Sequence, residues 1–253
     1  MNAATALVLV GHGSSRHAEA PQAVLDLAAA VRRRGRFAEV AACFLKNPPG
    51  PETVLSGLAA RRVVVVPVFS GRGHYTERII PQAFGLAGSA GESGGRNIVI
   101  TPPAGAHPRL PGLLAARAEA VLDAEGLSPA AASLLLLAHG SSRAGASGET
   151  PRAVAAALAA TGRFREVAVA FLEQEPRAGR WPDLVAGPEV VALPLLVAQG
   201  MHAGQDIPPL FGLGEGEAGP VVVAGRRVRL AARLGAEPEL VDIVLDLADA
   251  APG

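Results

Sequence analysis

The sequence predicts an α/β protein written twice: two tandem domains, each a parallel sheet flanked by helices. Three observations carry this. Short apolar runs alternate with segments of helical spacing along the whole chain. The runs of the first half return in the second at a nearly constant separation of 127 residues. Of the 253 residues, 49% are hydrophobic and 18% charged, which is enough apolar material for two cores.

In the first half, Ala6 to Val10 is a short apolar run suited to a buried parallel strand. Pro21 to Arg33 has helical spacing, with Pro21 in the first turn, where its missing N–H is tolerated. Val40 to Leu45 is a second strand and Thr53 to Ala60 a short helix. Val63 to Phe69, opening on four valines, is the clearest strand. Glu77 to Leu86 is expected to be helical, with Pro81 early in it. Asn97 to Thr101 is a fourth strand and Leu110 to Ala124 an Ala-rich helix. The pattern repeats from Ser133 onward, which predicts parallel sheets with helices on both faces.

The repeat is explicit in the residues. Leu7-Val8-Leu9-Val10-Gly11-His12-Gly13-Ser14-Ser15-Arg16 returns as Leu134-Leu135-Leu136-Leu137-Ala138-His139-Gly140-Ser141-Ser142-Arg143. Gly35-Arg36-Phe37 matches Gly162-Arg163-Phe164, and Phe44-Leu45 matches Phe171-Leu172. Gly73-His74 matches Gly200-Met201-His202 with one residue inserted, and Ile80-Pro81 matches Ile207-Pro208. The turn residues Gly126-Leu127-Ser128-Pro129 place the boundary, giving halves 1–126 and 127–253.

Composition excludes several classes. Lys plus Arg and Asp plus Glu are 23 each, so no broad field for nucleic acid or a membrane surface is expected. One cysteine, Cys43, rules out an intramolecular disulfide and any CxxC site. No apolar run approaches 18 residues, and Met1 to Ala6 lacks the basic segment of a signal peptide, so a cytoplasmic location is expected. GxxxxGK[ST] is absent and no GxGxxG joins a predicted strand to a predicted helix, so no nucleotide is expected. Gly91 to Gly95 formally matches GxSxG, but it precedes a strand instead of joining strand to helix.

In parallel sheets ligands bind beyond the carboxyl ends of strands. His12 and His139 follow the first strand of each half, and His74 and His202 lie shortly after the third. Glycines beside these histidines permit positive φ and close approach of a ligand to backbone. Neutral imidazoles bind borderline divalent metals such as Co, Fe or Ni, and a carboxylate would complete a three-ligand site with open positions. The second half offers Glu173 after its second strand, whereas the first half has Lys46 there. Arg16, Arg72, Arg78 and Arg143 fall near the same edge and suit carboxylate recognition. His17 is read as a surface residue and His107 as a helix-start residue.

The strand-Gly-His-Gly-Ser-Ser and strand-Ala-His-Gly-Ser-Ser loops, Phe171-Leu172-Glu173, and Gly200-Met201-His202 with Asp206-Ile207-Pro208 together resemble the sirohydrochlorin chelatase family, the CbiX/SirB type. The resemblance covers nearly the whole chain, in two copies. It implies two flavodoxin-like, chelatase-like domains facing one another across a cleft, in a monomer that fuses what single-domain members assemble as dimers. It implies ATP-independent insertion of a divalent metal, Co2+ or Fe2+ and by ligand type also Ni2+, into sirohydrochlorin for cobalamin or siroheme synthesis.

The family's metal-handling residues map to His139, Glu173 and His202, and in the first half to His12, Lys46 and His74. Ser14, Ser141, Arg16 and Arg143 are the candidate substrate contacts. The second reading is a non-catalytic tetrapyrrole or metal carrier, motivated by Lys46.

Overall fold

Each half raises a five-stranded sheet in which four strands run parallel and one antiparallel. The structure is a computed structural model that describes residues 2–14, 21–140, 148–195, 207–214, 216–232 and 238–252. The first sheet contains β1 (Asn2–Gly11), β2 (Phe37–Phe44), β3 (Arg62–Pro67), β4 (Ala90–Ser93) and β5 (Arg96–Ile100), in the order β2-β1-β3-β5-β4. The second contains β6 (Ala132–Ala138), β7 (Glu166–Phe171), β8 (Glu189–Pro194), β9 (Val221–Val223) and β10 (Arg226–Leu230), in the order β7-β6-β8-β10-β9. The parallel strands keep the flavodoxin-like arrangement, with the chain reversing direction of travel beside β1 and beside β6.

β1 and β6 are central, paired on both sides. Ala6–Val10 and Leu134–Leu137 are accordingly buried throughout, and their sequence is an unbroken apolar run without alternation.

The antiparallel strands β4 and β9 are additions to the expected parallel sheets. Each closes a hairpin through two residues at positive φ: Gly94 (57°) and Gly95 (71°) before β5, Ala224 (50°) and Gly225 (74°) before β10. Positive φ at both central positions matches the twist of the flanking strands. The GxSxG match at Gly91–Gly95 thus joins strand to strand.

Helices α1 (Gln22–Arg33), α2 (Pro51–Gly57) and α3 (Ile80–Ala83) belong to the first half. The expected helix over 77–86 is replaced by a π-helical turn, Tyr75–Ile79, followed by the short α3. Pro81 has no N–H to continue the ladder, and the Ile80 N–H reaches back to the Tyr75 carbonyl instead. Helix α4 (Leu110–Asp123) follows β5, α5 (Glu149–Ala160) lies between β6 and β7, and α6 (Pro238–Asp249) comes last.

Packing divides the chain into two compact units that do not follow the two halves. The first holds the described residues of Met1–His107 and of Leu234–Gly253; the second holds those of Pro108–Leu196 and Met201–Arg233. The last helix of each half therefore sits in the other unit. In the first unit α6 packs on α1 and β3, burying Leu240, Val244 and Leu247. Asp242 and Asp249 of α6 accept from Arg34 (3.1 Å) and Arg36 (2.8 Å). In the second unit α4 packs on α5 and β8, burying Leu110, Leu114, Ala118 and Leu122. The repeat boundary near residue 126 and the packing boundary after His107 are different cuts of the chain.

Both units bind a carboxylate at the end of the sheet away from the histidines. Glu39 accepts the Ala60 N–H (2.8 Å) and Glu166 the Ala186 and Gly187 N–H groups (2.8 Å each). Glu166 also accepts the Ser133 hydroxyl (2.6 Å). Burial alone would push the Glu166 carboxyl up. The Ser133, Gly187 and Ala186 donors, with Arg165 nearby, outweigh it and hold the group below the usual carboxylate range.

The second unit also buries a cation. Arg229 is 2% exposed, with Nε and Nη2 donating to Glu125 (2.7 and 2.6 Å) and Nη1 to Glu189 (2.7 Å). Among the described residues no helix is long and apolar enough to cross a membrane.

Candidate active site

The histidine loops are built by the same backbone device in both halves. After β1 the Gly11 carbonyl accepts the Leu45 N–H (3.2 Å), and after β6 the Ala138 carbonyl accepts the Leu172 N–H (3.0 Å). These bonds zip the loop after the first strand to the loop after the second. In the second half the zipper runs one step further, from the Glu173 N–H to the His139 carbonyl (2.9 Å). The second-strand loops are folded back alike: Phe44 N–H donates to Pro49 (3.0 Å) and Phe171 N–H to Pro176 (2.9 Å).

Two residues absent from the sequence reading complete these loops. Gly13 and Gly140 take positive φ, 71° and 75°, and a Cβ on either would collide with the side chain of Asn47 or Gln174. Asn47 and Gln174 are themselves 127 residues apart, directly after Lys46 and Glu173. The Asn47 Oδ1 accepts the Ser14 N–H. The glycine after each histidine is thus required twice, by its dihedral angle and by the amide side chain against it. The signal was present as an Asn/Gln pair in register with the repeat.

In the second half, His139 Nε2 lies 3.4 Å from Glu173 Oε1. The imidazole is 32% and the carboxylate 50% exposed, so both can be reached from solvent. Two ligands of one tetrahedral divalent ion, with bonds of about 2.0–2.1 Å, are separated by about 3.4 Å. The pair therefore has the spacing of one edge of a coordination polyhedron. His202, Ser141, Arg16 and Arg143 lie outside the described residues.

The first half departs from this chemistry. Lys46 takes the place of Glu173 and is exposed. His12 Nδ1 lies 2.8 Å from the Gly13 carbonyl oxygen, a bond it makes as donor. Its ring meets Tyr75 edge to face, with centroids 4.7 Å apart and planes at 76°, and Phe69 at 6.3 Å and 72°. Tyr75 in turn meets His74 at 6.0 Å and 73°. His74 is exposed and starts the π-helical turn, which Thr76 braces by accepting the Gly73 N–H (3.0 Å). Phe69 and Tyr75, the one tyrosine of the chain, were not singled out from sequence. Arg72 and Arg78 are exposed on the same stretch.

Among the described residues no three His, Cys, Asp or Glu side chains gather into a metal-binding group. Cys43 is buried, and burial pushes its thiol up to about 12, which removes it from metal or redox chemistry at neutral pH.

Comparison with known proteins agrees with this construction. A probable sirohydrochlorin cobaltochelatase of Halobacterium salinarum is 29% identical over 264 residues, covering 96% of this chain and 90% of that protein. A multi-domain protein of Deinococcus radiodurans, described as structurally similar to chelatases, is 32% identical with a TM-score of 0.79. That match covers 98% of this chain and 55% of the other, so this chain spans about half of its length. CbiX, described as the terminal enzyme for biosynthesis of siroheme in denitrifying bacteria, is 27% identical with a TM-score of 0.72, over 100% of both chains. The CbiX family model matches twice, at residues 6–121 and 133–251, once on each histidine loop with its sheet. Duplicated sheets, duplicated histidine loops and a double match over nearly the whole sequence make this chain a member of the CbiX family.

Proposed function

We propose that this chain inserts a divalent metal, Co2+, Fe2+ or Ni2+, into sirohydrochlorin without a nucleotide, and that its second half handles the metal. The observation that carries the reading is the His139–Glu173 pair, a nitrogen and an oxygen 3.4 Å apart at the carboxyl ends of β6 and β7. Family membership and the sirohydrochlorin cobaltochelatase named among the relatives supply the reaction.

The reaction asks three things of a protein. It must hold the metal with positions open to the ring, accept two pyrrole protons, and orient the macrocycle. His139 and Glu173 supply a neutral and an anionic ligand, with His202 as the third member of the set. The same two side chains are the bases that take up the protons as the metal leaves them. The zipper from Glu173 N–H to the His139 carbonyl fixes the two loops relative to one another, so the pair is organised before the metal arrives.

His12 and His74 act as a supporting pair in the first half. Arg16, Arg143, Ser14 and Ser141 are assigned to the substrate's carboxylates. The chain carries both histidine loops itself and is assigned to work as a monomer in the cytoplasm, on no nucleic acid or membrane.

The test is anaerobic insertion with each metal, followed by the absorption change of the tetrapyrrole. His139→Ala and Glu173→Gln are each expected to slow insertion by about 100-fold, the worth of a positioned acid–base group. Full rates in both variants refute the assignment. Tetrapyrrole binding without acceleration by the wild type makes the protein a carrier.

A further inference from the structure

We propose that the first half is a holding face for a flat, conjugated polycarboxylate, with Tyr75 as its platform, in place of a second metal site. The inference rests on the chelatase reading above and assigns the first half its task.

The chain is poor in aromatic residues, 4% in all, with a single tyrosine. That tyrosine stands between the two first-half histidines, in edge-to-face contact with both. The π-helical turn that begins at Tyr75 places it there, directly after His74. Phe69 lies behind it with planes only 27° apart and is buried in the core, so Tyr75 is a half-exposed ring on a fixed support.

With an ammonium where the other half has a carboxylate, the first half has no anionic ligand in register beside its histidine and is the poorer metal site. The same set suits another ligand. Tyr75, backed by the buried Phe69, and His12 offer apolar, polarisable surface to a planar π-system, and exposed Lys46 offers charge to carboxylates at its rim. A flat macrocycle bearing carboxylates has both properties.

The experiment titrates metal-free sirohydrochlorin and, separately, Co2+ alone into the full-length protein. Tyr75→Leu keeps an apolar side chain against Phe69 but removes the flat face; Tyr75→Phe restores it. Tyr75→Leu is expected to weaken tetrapyrrole binding about 10-fold, a stacking contact's worth. Tyr75→Phe is expected to stay within about twofold of wild type, and Co2+ affinity to be unchanged in both. Lys46→Glu is expected to weaken tetrapyrrole binding and flatten its salt dependence.

Tetrapyrrole affinity unchanged in Tyr75→Leu overturns the proposal, and so does a fall in Co2+ affinity in that variant. A wild type that binds tetrapyrrole and inserts metal while Tyr75→Leu binds equally well overturns this inference alone. A wild type that binds no tetrapyrrole overturns the chelatase reading with it.

Discussion

Replacing Arg229 by Met tests the buried charge network of the second unit. Arg229 is 2% exposed and makes three bonds of 2.6–2.7 Å to two carboxylates. One is Glu125, just past the end of α4; the other is Glu189, at the start of β8. Removing one member of a buried ion pair typically costs about 3–5 kcal/mol, because the partner charge is stranded. Here the stranded groups are not wholly enclosed. The Glu125 side chain is 34% exposed and can be rehydrated, and Arg227 remains 3.8 Å from Glu189. The lower end of the range, about 3 kcal/mol, is therefore expected.

Trp181, the one tryptophan, is 2% exposed and lies in the same unit, so its fluorescence reports unfolding there. With a urea slope of about 2 kcal/mol/M, the midpoint should fall by about 1.5 M. Adding Glu125→Gln and Glu189→Gln to Arg229→Met should recover much of the loss, since no charge is then stranded. A midpoint shift below about 0.3 M in the single variant would show that the network contributes little, and the argument from burial would fail.

Gly140→Ala should slow metal insertion at least about tenfold by displacing His139 through the clash with Gln174, while overall stability falls by no more than about 1–2 kcal/mol. Single-turnover rates beside urea curves separate the two effects. The Glu166 carboxyl is held below its ordinary value, so its contribution is complete above the unfolded carboxylate range, about pH 4.3, and disappears as pH falls through the lower folded value. Glu166→Gln should therefore flatten that part of the acid limb of stability, read as unfolding midpoints between about pH 3 and 7. An unchanged acid limb counts against the assignment.

The architecture was legible where burial on both faces forces an unmixed apolar run. β1, β3 and β6 are central strands and could be read directly, and the repeat placed their loops in register. The edge strands were harder. Ala90-Gly91-Glu92-Ser93 has no strand composition and lies partly in solvent; the glycine pair after it, not the strand, carried the hairpin signal.

The helix over 77–86 was misjudged because periodicity registers an apolar face but not which carbonyl each N–H will reach around a proline. The exchange of α4 and α6 was invisible for a related reason. An amphipathic pattern states that one face is buried, and does not state against which sheet. At the carboxyl ends of the strands, His12, His74, His139 and Glu173 were singled out by type and spacing, and the structure brings His139 and Glu173 together. Asn47, Gln174 and Tyr75 were not singled out, because their role lies in what they touch.

The placement of α6 has a consequence for how the protein is made. The first unit contains the earlier strands β1 to β5, yet the face over α1 and β3 is not covered until residues 238–249 have been synthesised. The second unit begins later and is complete by residue 232. Emergence from the ribosome therefore reverses the usual amino-first order, in which the leading domain finishes folding before the next. The first unit waits, with the face over α1 and β3 uncovered, until residues 238–249 have been synthesised.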